Sequence, residues 1–528
     1  MSGERVMAGI TGDFEIDVTV GAGDADPLAG FAEDNGLKYT HVVLDRGLAP
    51  SQPMLTLAGA GSLDRQRGVA QRWSERLEQA GLRVVRSRIR AASWCEGVPA
   101  TDEEAAAQPS GRYFEHRLRL LLPPGVATLL AVTELAERHG ARLSRDAQRT
   151  RTDGLDERFV TQRCRNAGRA TAQAHLDQLV GTLRGHGWQV VAAEQTYVVF
   201  DDCSRLDAEW LVRTEQAGQG GWEDRMRRAP AGTPDYPRTY LPLPDNPGLR
   251  QRAAFDPALK QRPNAYRAGE PEFADPVVGQ RWTTARRTAM THLLNVINRT
   301  RWAEHLVLRG SVTLSAWLGD AAREPGDLDF VVTPFALSIN SPEAREMLDG
   351  VVSALRGHPG AGLDPDRVQV EDIWTYERAD GRRLAVPFTA AHDLTGSVQL
   401  DFVFNEHLPM EPTTIRIDGV GEAMRAAPPA LSLAWKLMWL GTDMYPQGKD
   451  LYDAVLLAEY TTVDLRLVRD LLRPELGAEA DTFTAETVLR WDVDWRNFTD
   501  EYPGVTGDVD AWKHRLALAL DRPAGALL

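Results

Sequence analysis

Hydrophobic and polar residues alternate with period two along Phe14–Val20, Lys38–Leu44, Met54–Leu57 and Leu82–Arg86, the spacing of strands with one buried face. Between them, Pro27–Asn35 and Ser62–Ala80 carry helical spacing, the second with Ser62 as N-cap and Gly81 as its stop. The predicted order is β-α-β-β-α-β. It returns in Tyr113–Leu122, Val126–Arg138, strands around Arg142 and over Arg158–Thr161, Ala170–Arg184 and Trp188–Ala192. Residue echoes accompany the repeat: Phe14-Glu15 with Phe114-Glu115, FAEDNGLK (Phe31–Lys38) with LAERHGAR (Leu135–Arg142), and LEQAGLRVV (Leu77–Val85) with LRGHGWQVV (Leu183–Val191). A duplicated unit of roughly 90 to 100 residues in this order predicts a pair of ferredoxin-like sheets, each with both helices on one face, packed as a pseudo-dimer.

The periodicity collapses between Gln216 and Asp275, where Gly, Pro and Arg dominate, and aromatic residues (Trp222, Tyr236, Tyr240, Phe255, Tyr266, Phe273) predict a connector pinned against a domain. Pattern resumes with a helix over Pro276–Asn298. An apolar run then ends at Gly310-Ser311, a short helix follows, and the turn at Pro325-Gly326 delivers Asp327-Leu-Asp329 into Phe330-Val-Val332. Beyond a helix from Pro342 to Leu355 come strands near Val368–Val370, Arg382–Val386 and Ser397–Phe404, then apolar helices over Leu431–Leu440 and from Gln447. The expected domains are two repeats (1–105 and 106–215), the connector (216–275), an α+β core (276–425) and a helical part (426–528).

Composition changes this picture little. The chain of 528 residues is 43% hydrophobic and 26% charged, enough for several cores, and shows no signal peptide and no uninterrupted apolar stretch of membrane-spanning length, so a cytoplasmic protein without a membrane partner is expected. Cys95, Cys164 and Cys203 lack metal or disulfide spacing and predict buried inert thiols. A net charge of −15 argues against nonspecific nucleic-acid binding by the whole surface, but leaves room for a local basic groove. Arg142, Arg145, Arg149, Arg151, Arg158, Arg163 and Arg165 cluster on one hairpin, as a solvated face or as a contact for an anionic partner such as RNA phosphates.

Candidate chemistry concentrates in the second half. Asp327 and Asp329 share one strand face, where their repulsion suits a hard cation such as Mg²⁺, and Gly310-Ser311 offers backbone N–H groups to a phosphate. Asp401, flanked by apolar neighbours in a strand, is costly there unless it meets a metal or a cation, and beside the D-x-D it reads as a third metal-site carboxylate, with an edge-strand aspartate facing water as the alternative. Lys436 is the one cation in an apolar helix; Asp450 and Asp453, on one face of the next helix, either orient it or hold a nucleophile. In the first half, His41 and His116 on strands prompt comparison with the 2H phosphoesterases. That pattern needs His-x-Thr or His-x-Ser twice, and His41-Val-Val43 and His116-Arg-Leu118 lack both hydroxyls.

Taken together, LRGSVTLSAWLG (Leu308–Gly319), REPGDLDFVV (Arg323–Val332), LDFVF (Leu400–Phe404), LAWKL (Leu433–Leu437) and KDLYDAVLL (Lys449–Leu457) resemble the AbiEii/AbiGii toxin family of nucleotidyltransferases, in the DNA polymerase β-like superfamily. The resemblance spans roughly Arg281–Tyr460 and implies a polymerase β-like catalytic domain with a helical tail. It further implies that Gly310 and Ser311 hold an NTP, that Asp327 and Asp329 bind Mg²⁺, that Lys436 contacts phosphate, and that Asp453 acts on the acceptor; Asp401 is the third metal ligand. The expected function is Mg²⁺-dependent transfer of NMP to an RNA or protein acceptor, as a toxin or defence protein with an antitoxin partner. The alternative is a catalytically silent nucleotide-sensing or partner-binding module on the same fold.

Overall fold

The computed structural model describes residues 9–47, 49–147, 154–207, 210, 238–241, 248–250, 271–373, 379–391 and 394–522. The chain forms two compact units, Met1–Thr214 and Glu215–Leu528. Among the described residues, no helix is long and apolar enough to cross a membrane.

In the first unit the order β1 (Thr11–Val20), α1 (Ala25–Asp34), β2 (Lys38–Leu44), β3 (Ser51–Ser62), α2 (Leu63–Gln79), β4 (Val84–Ala92) is followed by a short α3 (Asp102–Ala106). The same order then repeats as β5 (Tyr113–Leu122), α4 (Val126–Arg138), β6 (Ala141–Asp146), β7 (Asp156–Cys164), α5 (Arg169–Gly185) and β8 (Gln189–Asp201). The Ser62 side chain caps α2 through the Arg65 amide, as its position predicts. The eight strands do not form two separate packed sheets. They close into one antiparallel barrel, β1-β3-β2-β6-β7-β5-β8-β4, and each run supplies four consecutive strands.

Two seams join the runs, β2 to β6 through pairs such as Val43↔Arg145, and β4 to β8 through pairs such as Ile89↔Phe200. The reason is the edge: each four-stranded run would expose two rows of unpaired N–H and C=O groups, and pairing edge to edge removes all four. The helices take the apolar alternates of the strands. Ile16, Val18, Leu55 and Ile89 pack with Leu28, Ala70 and Leu77 in one core, and Leu118, Leu120 and Val160 with Leu135, Leu176 and Leu179 in another. Polar alternates of the same strands point the other way.

That alternation corrects the arginine cluster. Arg163 is buried on Glu115 and Asp207, Arg142 pairs with Glu137, and Arg165 lies over the Tyr113 ring, so the hairpin is not one basic stripe; Arg149 and Arg151 lie outside the described residues. His41 meets Ser51 (2.8 Å), while His116 is buried against Gln162 (2.8 Å) and Gln195 (3.0 Å), three strands away around the barrel with β6 and β7 between. The histidines share no partner, which removes the phosphoesterase alternative. Cys95 and Cys164 are buried free thiols and Cys203 is half-buried.

The second unit holds a two-stranded ribbon (β9, Leu249–Arg250; β10, Glu272–Phe273), then α6 (Pro276–Asn298), β11 (Leu306–Arg309), α7 (Ser311–Leu318), β12 (Leu328–Val332) and α8 (Pro342–Gly357). Strands β13 (Gln369–Ile373), β14 (Gly381–Ala390), β15 (Leu394–Val403), β16 (Thr413–Ile415) and β17 (Met424–Ala426) complete a seven-stranded mixed sheet, β13-β14-β15-β12-β11-β17-β16. Leu328, Phe330, Leu400 and Phe402 face α6 and α8 and carry the core, the two phenylalanine rings stacking at 5.5 Å. A helical tail follows: α9 (Pro429–Thr442), α10 (Gly448–Tyr460), α11 (Leu465–Leu476), α12 (Trp495–Glu501) and α13 (Val509–Leu520). Tyr452, Trp495, Phe498 and Trp512 bind α10, α12 and α13 together. Of the connector aromatics, Phe273 packs on Trp282 at 5.8 Å, while Trp222, Tyr236, Phe255 and Tyr266 lie outside the described residues.

Candidate active site

The site begins where β11 ends. Gly310 has φ +81°, a conformation that L side chains rarely adopt, and a Cβ built there would lie 2.3 Å from Asp329 Oδ2. Both facts require glycine. They also show that the Gly-Ser turn and the D-x-D strand meet, as one strand-helix-strand unit predicts. Ser311 opens α7, and its Oγ is buried with no hydrogen-bond partner. An orphaned hydroxyl at a helix N-terminus, one residue from a carboxylate cluster, is an uncompensated cost in the free protein.

Register places the acids. On β12, Asp329 lies beside Arg309 of the antiparallel β11 and beside Asp401 of the parallel β15. Because side chains alternate, Asp329 and Asp401 leave the sheet on the face opposite Phe330 and Phe402. Asp327 precedes β12, and ligand atoms of Asp327, Asp329 and Asp401 all lie within 4.8 Å of one another. Burial, then the Asp327 and Asp401 charges, push the Asp329 carboxyl well above the usual carboxylate range; Arg309 and Arg383 pull it down without offsetting them.

Two of these neighbours were not foreseen. Arg383, opposite Asp401 in the β14–β15 ladder, donates from Nε and Nη2 to its two oxygens, each at 2.7 Å. Thr239 of the connector is buried here, accepting from Arg383 (3.3 Å) and donating to Glu371 (3.2 Å). Arg309 donates to Glu406 at 2.6 and 2.7 Å and lies over the Trp435 ring at 5.2 Å. The expectation that a buried Asp401 meets a metal or a cation thus acquires a definite cation.

Lys436 and Asp453 sit in a second cluster. Lys436 Nζ donates to Asp450 at 2.7 Å and lies 3.1 Å from Asp453, whose two oxygens also accept from Arg323 Nε (2.9 Å) and Nη2 (2.7 Å). Burial alone would raise the Asp453 carboxyl, but Arg323 and then Lys436 hold it at about 2. Lys436 remains charged because Asp450 and Asp453 more than offset its burial. Of the two sequence readings, the acids orienting Lys436 matches these contacts. Arg323 precedes Asp327 by four residues, and Tyr452 Oη of α10 donates to Ala321 O at 2.8 Å. The helical tail therefore anchors the loop that delivers the first aspartate.

Three close carboxylates, one of them with its charged form disfavoured by burial and its acidic neighbours, form a donor set suited to a hard divalent cation. No curated protein and no solved structure matches the chain. Residues 292–520 match the family described as Nucleotidyl transferase AbiEii toxin, Type IV TA system. The similarity of this chain to the AbiEii nucleotidyl transferase toxin family is thus confined to those residues, in its C-terminal half.

Proposed function

We propose that the second unit transfers a nucleoside monophosphate from an NTP to an RNA terminus or a protein hydroxyl, with release of pyrophosphate, as a toxin or defence activity checked by an antitoxin. The observation that carries this reading is the Asp327, Asp329 and Asp401 cluster set against the Gly310-Ser311 turn. Asp327, Asp329 and Asp401 would hold Mg²⁺, which when bound supplies charge neutralisation to the triphosphate and the attacking oxygen. Gly310 lets the backbone approach the carboxylates, and the Ser311 hydroxyl, without a partner in the free protein, donates to a phosphate oxygen. Arg383 positions Asp401. Lys436 and Asp453, joined to Arg323, hold the Asp327 loop in place instead of touching the triphosphate, which revises the roles implied by the resemblance.

The ferredoxin-like duplication of the first unit belongs to the same proposal, as the part of the chain that selects the acceptor. Calorimetry with NTP and Mg²⁺, coupled to product analysis, separates the two functional readings. Turnover to pyrophosphate supports transfer; tight NTP binding with no product supports the silent sensor.

A further inference from the structure

We propose that the closed barrel of the first unit is a cup for an oligophosphate anion, with Arg117 and Arg119 as its recognition residues. The inference stands apart from the activity proposed for the second unit. It starts from alternation: Leu118 and Leu120 of β5 are in the helix-covered core, so Glu115, Arg117 and Arg119 project into the barrel. By the same rule Asp17 of β1, Arg86, Arg88 and Arg90 of β4, and Arg163 of β7 project inward. Their contacts confirm it, because Arg88 bridges Asp17 and Glu115 on different strands.

One end of the barrel is stoppered. Asp207, from the turn Ser204–Asp207 after β8, accepts from Gln52 of β3 (3.0 Å), Arg86 of β4 (2.9 Å) and Arg163 of β7, strands that lie apart around the barrel. Trp210 follows, its indole donating to Leu143 O at 3.2 Å. Exposure then rises away from this stopper: the side chains of Arg86 and Asp17 are 2% and 1% exposed, and that of Glu15, which pairs with Arg90, is 44% exposed.

The deep arginines are ion-paired. Arg86 pairs with Asp201 and Asp207, Arg88 with Asp17 and Glu115, Arg90 with Glu15 and Asp17, and Arg163 with Glu115 and Asp207. Arg117 and Arg119 are not. Among the described residues, neither has a carboxylate within ion-pairing distance. Arg117 only stacks over the Phe159 ring at 4.3 Å, and the Nε of Arg119 is buried without a hydrogen-bond partner, as is the Nε of Arg90. Glu194, across the ladder from Arg117, is exposed and does not pair with it. Burial, with the like charges of Arg90 and Arg88, outweighs Asp17 and Glu115 and pushes the Arg117 guanidinium below its usual range.

The spacing identifies the missing anion. The Cα atoms of arginines two apart on a strand stand about 7 Å from each other at the usual rise, a spacing that lets their guanidinium groups grip successive groups of a phosphate chain. Guanidinium forks match phosphate oxygens bidentately, and a row of them with Arg90 beyond fits a linear chain of phosphates better than a single phosphate or carboxylate. A free oligophosphate and the end of a nucleotide share this chemistry, and the binding arms below tell them apart.

The test is calorimetry on the full chain carrying Asp327→Asn and Asp329→Asn, so that NTP binding at the aspartate cluster does not intrude. Inorganic triphosphate, pyrophosphate, phosphate and ATP are titrated in turn. The expected result is one site per chain, with triphosphate tighter than pyrophosphate and pyrophosphate tighter than phosphate, and with affinity falling as salt rises. ATP binding as well as triphosphate assigns the nucleotide-borne source, and triphosphate alone the free one. Arg117→Gln and Arg119→Gln should each weaken triphosphate at least tenfold without lowering the melting temperature, and Arg117→Lys, keeping charge but not the fork, should fall between. Absence of triphosphate binding, a preference for monophosphate, or binding unchanged in both Gln variants overturns the proposal. If Arg117→Gln fails to fold, Arg119→Gln nearer the mouth decides by the same criterion.

Discussion

Two acidic clusters lie in the second unit, and they have opposite electrostatic solutions. In the Arg323, Lys436, Asp450 and Asp453 cluster, two cations meet two carboxylates, and Asp453 is ionised down to about pH 2. In the Asp327, Asp329 and Asp401 cluster, three carboxylates converge and Asp329 is pushed the other way. Composition alone does not separate them, since both set aspartates beside arginine. The difference is what the proposed roles rest on: a neutralised cluster needs nothing further, whereas converging carboxylates suit an added cation.

The largest effect that would break this contrast is on rate. Asp329→Asn should reduce NMP transfer by on the order of 1,000-fold or more while leaving the metal-free melting temperature unchanged or higher, because an amide cannot take the charge that burial, Asp327 and Asp401 disfavour there. Kinetics and calorimetric melting on the same variant check both halves. Asp453→Ala should do the reverse, costing about 3–5 kcal/mol of stability by leaving Arg323 and Lys436 buried without their carboxylate. Denaturant unfolding of the two variants side by side measures it.

The pH dependence sharpens the same point. The folded pKa of Asp453 is depressed from 3.8 to about 2, so its contribution is present above pH 3.8 and is lost as the pH falls toward 2. Acid melting curves of the wild type should therefore drop more steeply over that window than those of Asp453→Asn. Next in size is Gly310→Ala, which places a Cβ against Asp329 in a left-handed backbone and should cost about 1–3 kcal/mol together with most of the activity. Ser311→Ala is the smallest: no loss of stability, since its hydroxyl has no partner, and an NTP KM raised by about threefold to tenfold if that hydroxyl donates to phosphate.

What was legible in the sequence follows from what is local. Helix α6 runs from Pro276 to Asn298 as the resumed pattern predicts, and Gly310, Asp327 and Asp329 meet because one short unit carries them. Arg383 was invisible because its pairing with Asp401 depends on hairpin register, which a one-residue slip would reverse. Arg323 was quoted within a motif without a role, since its partner lies 130 residues away. Barrel closure was missed for the same reason: the β2–β6 and β4–β8 seams join strands of different repeats, and nothing in either strand marks its edge partner.

The most direct measurement of the central claim is transfer of label from α-³²P-NTPs to total RNA and to protein by the full chain, with Mg²⁺ and with chelator, for the wild type, Asp327→Asn, Asp329→Asn and Asp453→Asn. The account predicts Mg²⁺-dependent label on one acceptor class that vanishes in both D-x-D variants and persists, on whatever fraction remains folded, in Asp453→Asn. Label transfer unaffected by Asp327→Asn and Asp329→Asn would contradict it.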